Sequence, residues 1–172
     1  MQITYRYRIK DKHAARLAAQ ARAVDFVWNY CNETQMKAAK DGRRWLSGYD
    51  LWKLVAGCTK EGLDLHAHTA MRVCIEYDKS RRQHRTPWLR WRKSKGSGRS
   101  LGWCRSTPGT YGSATADLSF ARNVMMSGSH RPLPEGAKIG AGSFSQDSKG
   151  HWYINCPLAF RSCCHPTASP TL

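Results

Sequence analysis

From Lys79 to Ala116 the chain carries ten Lys or Arg and no Asp or Glu. An acid-free run of this kind has no counter-charge of its own, so it either stays a solvated linker or faces an external anion. Within it, RRQHRTPWLRWRKSKGSGRSLGW interleaves the cations with Trp88, Trp91 and Trp103. Guanidinium groups pair bidentately with phosphates and indoles stack on exposed bases, which makes nucleic acid the expected anion. The whole chain leans the same way, with 28 Lys and Arg against 12 Asp and Glu and a formal charge of +16 over 172 residues. Self-repulsion of that size is relieved by a polyanion. An anionic membrane surface is the competing partner, and the seven tryptophans favour nucleic acid over it.

Two absences narrow the class. No run of 18 apolar residues occurs, so no membrane span is expected. MQITYRYRIK alternates instead of joining a charged head to an apolar stretch, so it does not read as a signal peptide. The seven cysteines are odd in number and form no CxxC, which fits reduced thiols in a cytoplasmic protein.

The rest of the chain supplies the scaffold. Ile3, Tyr5, Tyr7 and Ile9 alternate with Thr4, Arg6, Arg8 and Lys10, predicting a half-buried strand with a basic outer face. Asp11 is placed to cap a helix whose apolar stripe is Leu17, Ala21, Val24, Trp28 and Cys31, ended by Asp41-Gly42. Ser47 and Asp50 suggest a capping box for a second helix with Leu51, Leu54, Val55 and Cys58 inward. A turn at Gly62 leads to a third helix from about His66, with Ala70, Val73, Cys74 and Tyr77 inward and Pro87 stopping it. The Lys95–Ser100 segment reads as a flexible linker, and residues 105–130 as irregular. Gly142–Gln146 and His151–Pro157 read as two strands joined by a turn at 147–150. The expected class is α+β, a partial β barrel with a three-helix insertion.

Several of these segments, taken together, resemble one family. YRYRIK, ARAVDFVWNYCNET, LSGYDLWKLV, LRWRKSKGSGRSLGW and the hairpin GSFSQDSKGHWYINC resemble the N-terminal part of TnpB (OrfB), an insertion-sequence protein family of RNA-guided DNA endonucleases. The likeness runs over residues 2–104 and 136–156. It implies a first wedge-barrel strand at 1–10, a helical recognition insertion at 11–95, further wedge strands at 96–157 and a disordered tail at 158–172. It also implies a structured guide RNA and target-adjacent DNA as partners. Arg6, Arg8 and Lys10 would then face RNA backbone, and Tyr49, His68 and Arg72 fall near the family's motif-reading positions. The family continues into a RuvC-type nuclease and a zinc ribbon that hold its Mg²⁺ and Zn²⁺. The likeness stops short of both, so no cofactor and no catalytic residue is expected.

The candidate nucleic-acid contacts are therefore Arg6, Arg8, Lys10, Asn29, Tyr49, His68, Arg72, Arg81, Arg82, Arg85, Trp88, Arg90, Trp91, Arg92, Lys93, Lys95 and Arg99. Blander roles stand beside some of them. A basic strand face also blocks edge-to-edge aggregation, Tyr49 could be packing, and Asn29 could cap a turn. Trp28 reads as core. Cys163, Cys164 and His165 are poorly spaced for a tetrahedral metal, and His66 and His68 lie two apart, off a common helix face. Catalysis is not expected, because a two-metal nuclease needs convergent carboxylates. Asp147 is the last acidic residue, and no Gly-x-Asp-x-Gly follows it. Two other expectations stay open: a helix-turn-helix DNA-binding accessory of transposition, and a non-functional remnant of a decayed element.

Overall fold

The computed structural model describes residues 2–43, 45–58, 60–63, 65–96, 98–105 and 138–159. It is an α+β structure. The chain runs through β1 (Gln2–Arg8), a 3-10 turn at Asp11–His13, α1 (Ala14–Lys40), α2 (Gly48–Val55) and α3 (Ala67–His84). It then forms β2 (Trp103–Arg105), β3 (Lys138–Ile139), β4 (Ser143–Gln146) and β5 (Trp152–Ala159). The strands form an open antiparallel sheet in the order β1-β5-β4-β2, with β3 also beside β5. The expectations for residues 106–137 and 160–172 lie outside the described residues.

Alternation sets which face of the sheet is buried. Trp152, Ile154, Cys156 and Leu158 point into the core from β5, opposite Tyr7 of β1 and Phe144 of β4. Each such side chain contributes about 1.5–3 kcal/mol by leaving water. Thr4, Arg6, Arg8 and Lys10 are exposed, as the alternation predicts. The expected end of the last strand at Pro157 needs correction, because β5 continues to Ala159 and Leu158 is fully buried, in register with Ile3. Pro157 survives inside the strand for a geometric reason. Its carbonyl accepts from the Gly140 N–H at 2.8 Å, so its missing donor points to the same side. There β5 changes neighbour from β4 to β3.

The helices pack beside β2. Asp11 does not cap α1. It sits in the 3-10 turn with its carboxylate 3.7 Å from Arg8, one turn too early to reach the first α-helical amides, and His13 takes the N-cap position without a side-chain bond. In α2 the capping box forms in both directions between Ser47 and Asp50. Leu54 is a second correction, at 54% exposed. Gly48, Leu51 and Val55 make the contact line with α3, and Leu54 lies about 90° from its centre. Gly48 is required there, because a Cβ would meet Ile75 Cα at 2.9 Å. In α3, Ala70, Val73, Cys74 and Tyr77 are buried, and a left-handed Arg85 (φ 51°) closes the helix ahead of Pro87. Among the described residues no helix is long and apolar enough to cross a membrane.

Candidate nucleic-acid interface

Asparagine and aspartate are poor choices inside a helix, because they compete for its backbone. Yet α1 carries Asp25, Asn29 and Asn32 at steps of four and three, on one face. Asn32 is fully buried and Asp25 nearly so. The three make a polar ridge that captures the basic stretch. Asn32 Nδ2 donates to Leu89 O at 2.8 Å, and its Oδ1 accepts from Leu89 N at 2.7 Å and from Tyr77 Oη at 2.9 Å. Asn29 repeats the pattern one turn away, holding both the carbonyl and the N–H of Arg92 at 2.8 Å. Asp25 completes the row by accepting from Arg92 Nε and from Ser94 Oγ.

This pinning decides which residues of the stretch face outward. Two anchors three helical residues apart are about 4.5 Å apart along the helix, whereas three extended residues would span about 10 Å. The chain from Leu89 to Arg92 therefore bows away from α1. Leu89 packs against the core, while Trp88 (43%), Trp91 (47%), Arg90 and Lys93 stand in solvent. The Lys95–Ser100 segment is a turn in which Ser100 N donates to Lys93 O at 2.7 Å and Arg99 N to Gly96 O at 3.2 Å. Ser97 in this segment lies outside the described residues. Beneath the bowed chain is a cleft of about 620 Å³, bordered by Trp28, Ser80, Thr86, Trp88, Trp91 and Ser100. A second hollow of about 560 Å³ shares Trp28, Ser80 and Ser100 with it and continues to Trp103 and Gln146.

The structure divides the residues chosen from sequence. Arg85, Trp88, Arg90, Trp91, Lys93 and Lys95 are exposed on the pinned stretch or just before it. Arg81 is a correction, since its side chain is fully buried and cannot reach a ligand. It donates to Leu46 O at 2.6 Å and Asp78 Oδ1 at 2.7 Å and lies 4.9 Å from the Trp45 ring centre. The cause is position: the same face of α3 that buries Tyr77 and Cys74 carries Arg81 one turn on. Arg92 is a second correction. It serves the fold by bonding Asp25 and Leu101 O and covering the Trp28 ring at 5.5 Å. Asn29 likewise spends its amide on Arg92, which answers the choice between contact and cap with a third role. Arg82 bonds Asp78 at 3.0 Å while staying 59% exposed, and Arg99 bonds Gln146 at 2.8 Å.

Other candidates lie elsewhere. Arg6 stacks on the Tyr153 ring at 4.0 Å, and Arg8 faces Asp11. With β5 and β4 between β1 and β2, this basic face is about 14 Å from Trp103. Tyr49 is 59% exposed with Lys53 4.7 Å over its ring. His68 sits in the first turn of α3, about 20 Å along the axis from Arg81. His66 precedes α3 as its N-cap, so its ring stacks on His68 at 5.4 Å, although a spacing of two within a helix would hold the rings apart. Arg72 is half-buried, and its Nε has no hydrogen-bond partner among the described residues.

Burial would raise the Asp78 carboxyl, but bonds from Arg81, the Gly48 N–H and Arg82 outweigh it and hold it below the ordinary value. Sequence reading missed Asp25, Asn32, Thr86, Ser80 and Ser100. The signal for the first two was there: two asparagines and an aspartate at helical spacing in the middle of a 27-residue helix. Among the described residues no cluster of three or more His, Cys, Asp or Glu is placed to hold a metal, and Cys163, Cys164 and His165 lie outside them. No protein-family model matches the sequence, and no curated protein matches it.

Proposed function

We propose that the chain binds nucleic acid, structured RNA with DNA beside it, and holds it without cutting it, as the likeness to the N-terminal part of TnpB implies. Membrane binding is not part of the reading, and the setting is the cytoplasm. The observation that carries it is the display of Trp88, Arg90, Trp91, Lys93 and Lys95 on a segment whose backbone is pinned to α1. The fold takes Arg92 for its own use, and among the described residues these cations have no acidic partner. Phosphates supply the missing charge, and the indoles offer stacking surfaces beside them. The strand face of Arg6, Arg8 and Lys10 is a second, weaker backbone contact in this reading, and Tyr49, His68 and Arg72 a place for target-adjacent DNA.

A helix-turn-helix reading finds less support. Residues 41–47 separate α1 from α2 and residues 56–66 separate α2 from α3, longer than the turn of about three to four residues in that motif. The decayed-remnant reading is met by the same experiment. Binding of the full chain to a hairpin RNA and to duplex DNA is measured across a salt series. The expected outcome is cooperative thermal unfolding, preference for the hairpin, and a fall in affinity of roughly 10³–10⁵ between about 50 and 200 mM salt. Preference for the duplex would move the assignment to the helix-turn-helix reading. A broad melt with indiscriminate polyanion binding would move it to the remnant.

A further inference from the structure

We infer that the cleft under Trp91 receives one unpaired nucleotide of the bound RNA, an inference that rests on the nucleic-acid reading above. The size of the space comes first. At about 620 Å³ it falls inside the range of roughly 300–1,000 Å³ typical of small-ligand sites. It has room for a base and its ribose. Its walls match a nucleotide part by part. Trp88 and Trp91 are large exposed rings at the rim and offer faces for a base to stack on. Arg90 is exposed beside them and free of the Asp25 and Leu101 bonds that occupy Arg92, so it is placed for a phosphate.

The polar groups carry the argument furthest. Trp28 Nε1 and Thr86 Oγ1 are both shielded from water, and neither has a hydrogen-bond partner among the described residues. Both residues border this one cleft. Buried donors without partners are costly and uncommon, and a small rotation of either side chain would bring its polar atom to the cleft wall to meet an acceptor or donor on a ligand's edge. A nucleobase presents its Watson–Crick edge only when it is unpaired. Ser80 and Ser100 border the same wall; Ser100 Oγ accepts from the Lys93 N–H at 3.1 Å and keeps its own hydrogen to donate to a ribose 2′-OH. That favours RNA over single-stranded DNA.

The test uses the full chain and a hairpin RNA with 2-aminopurine at one loop position, beside a loopless RNA duplex of the same stem. The expected result is a clear quench of 2-aminopurine fluorescence on binding, as the base stacks on indole. Trp91→Ala is expected to weaken hairpin binding on the order of tenfold and to leave duplex binding within about twofold. Thr86→Val, which keeps shape and removes the hydroxyl, is expected to reduce discrimination among loop bases with an unchanged melting temperature. A hairpin whose loop is deoxyribose is expected to bind more weakly. Tight binding with no quench, or equal loss for hairpin and duplex in Trp91→Ala, would overturn the subsite and leave the parent reading intact. A deoxyribose loop bound as tightly as the ribose one would overturn the assignment of the serine hydroxyls to RNA. Failure to bind either RNA in dilute buffer would overturn both readings.

Discussion

Asn29 of α1 holds the Arg92 backbone by both of its polar groups, the carbonyl through Nδ2 and the N–H through Oδ1, each at 2.8 Å. The amide stands in for the missing neighbour of a strand, so an irregular segment is paired without joining any sheet. The same helix repeats the arrangement with Asn32 and Leu89. The two grips differ in depth, and that difference can be measured.

Asn32→Ala is expected to cost about 3 kcal/mol, because it orphans Tyr77 Oη and both polar groups of Leu89 in a buried place. Asn29→Ala, in a half-buried setting, is expected to cost about 1 kcal/mol and to weaken RNA binding several-fold by freeing the Arg90–Lys93 chain. Urea unfolding gives the first pair of values and fluorescence anisotropy the second. Equal costs for the two substitutions would contradict the unequal depth of the two grips.

Arg81 and Arg90 should separate cleanly. Arg81→Met removes a buried cation that bonds Asp78 and Leu46, and it is expected to lower stability by about 3 kcal/mol without changing the salt dependence of binding. Arg90→Ala is expected to leave the melting temperature almost unchanged and to reduce the slope of log affinity against log salt by about 0.9. A lowered slope in Arg81→Met would mean that the guanidinium reaches phosphate after all.

Gly48→Ala tests the close approach of α2 to α3. A Cβ there lies 2.9 Å from Ile75 Cα, and the Gly48 N–H bonds Asp78 at 3.1 Å. Overpacking is expected to cost about 1–3 kcal/mol. Gly98→Ala, which meets nothing within 4 Å, serves as the matched control and is expected to stay within about 0.5 kcal/mol of the parent.

Acid unfolding should pass through Asp78. Its carboxyl is held below the ordinary 3.8, so the folded state binds its proton less readily than the unfolded chain does. The stabilisation from this group is therefore complete above that ordinary value and is lost as pH falls through the lower folded value. The stability gap between the parent and Asp78→Asn is expected to be widest near neutrality and to shrink below about pH 4. A gap that stays constant down to about pH 2 would remove Asp78 from the acid response.

Much of the frame was legible in the residues alone, because it depends on local periodicity. Ile3 to Ile9 alternate by two, the stripe from Leu17 to Cys31 recurs at three and four, and Ser47 with Asp50 forms its box within a single turn. Such patterns need no partner from elsewhere in the chain. Boundaries set by neighbours were not legible: β5 passes through Pro157 only because two different strands flank it there.

The division of the basic stretch belongs to tertiary structure. Composition establishes that ten cations run without an acid from Lys79 to Ala116, and that an anion suits them. It does not say which cations are taken up by the fold. Asp25, Asn29 and Asn32, some sixty residues earlier, tie Arg92 to the fold and turn Arg90 outward. Long-range pairing of this kind depends on where α1 lies in space, and side-chain identity along the stretch carries no record of it.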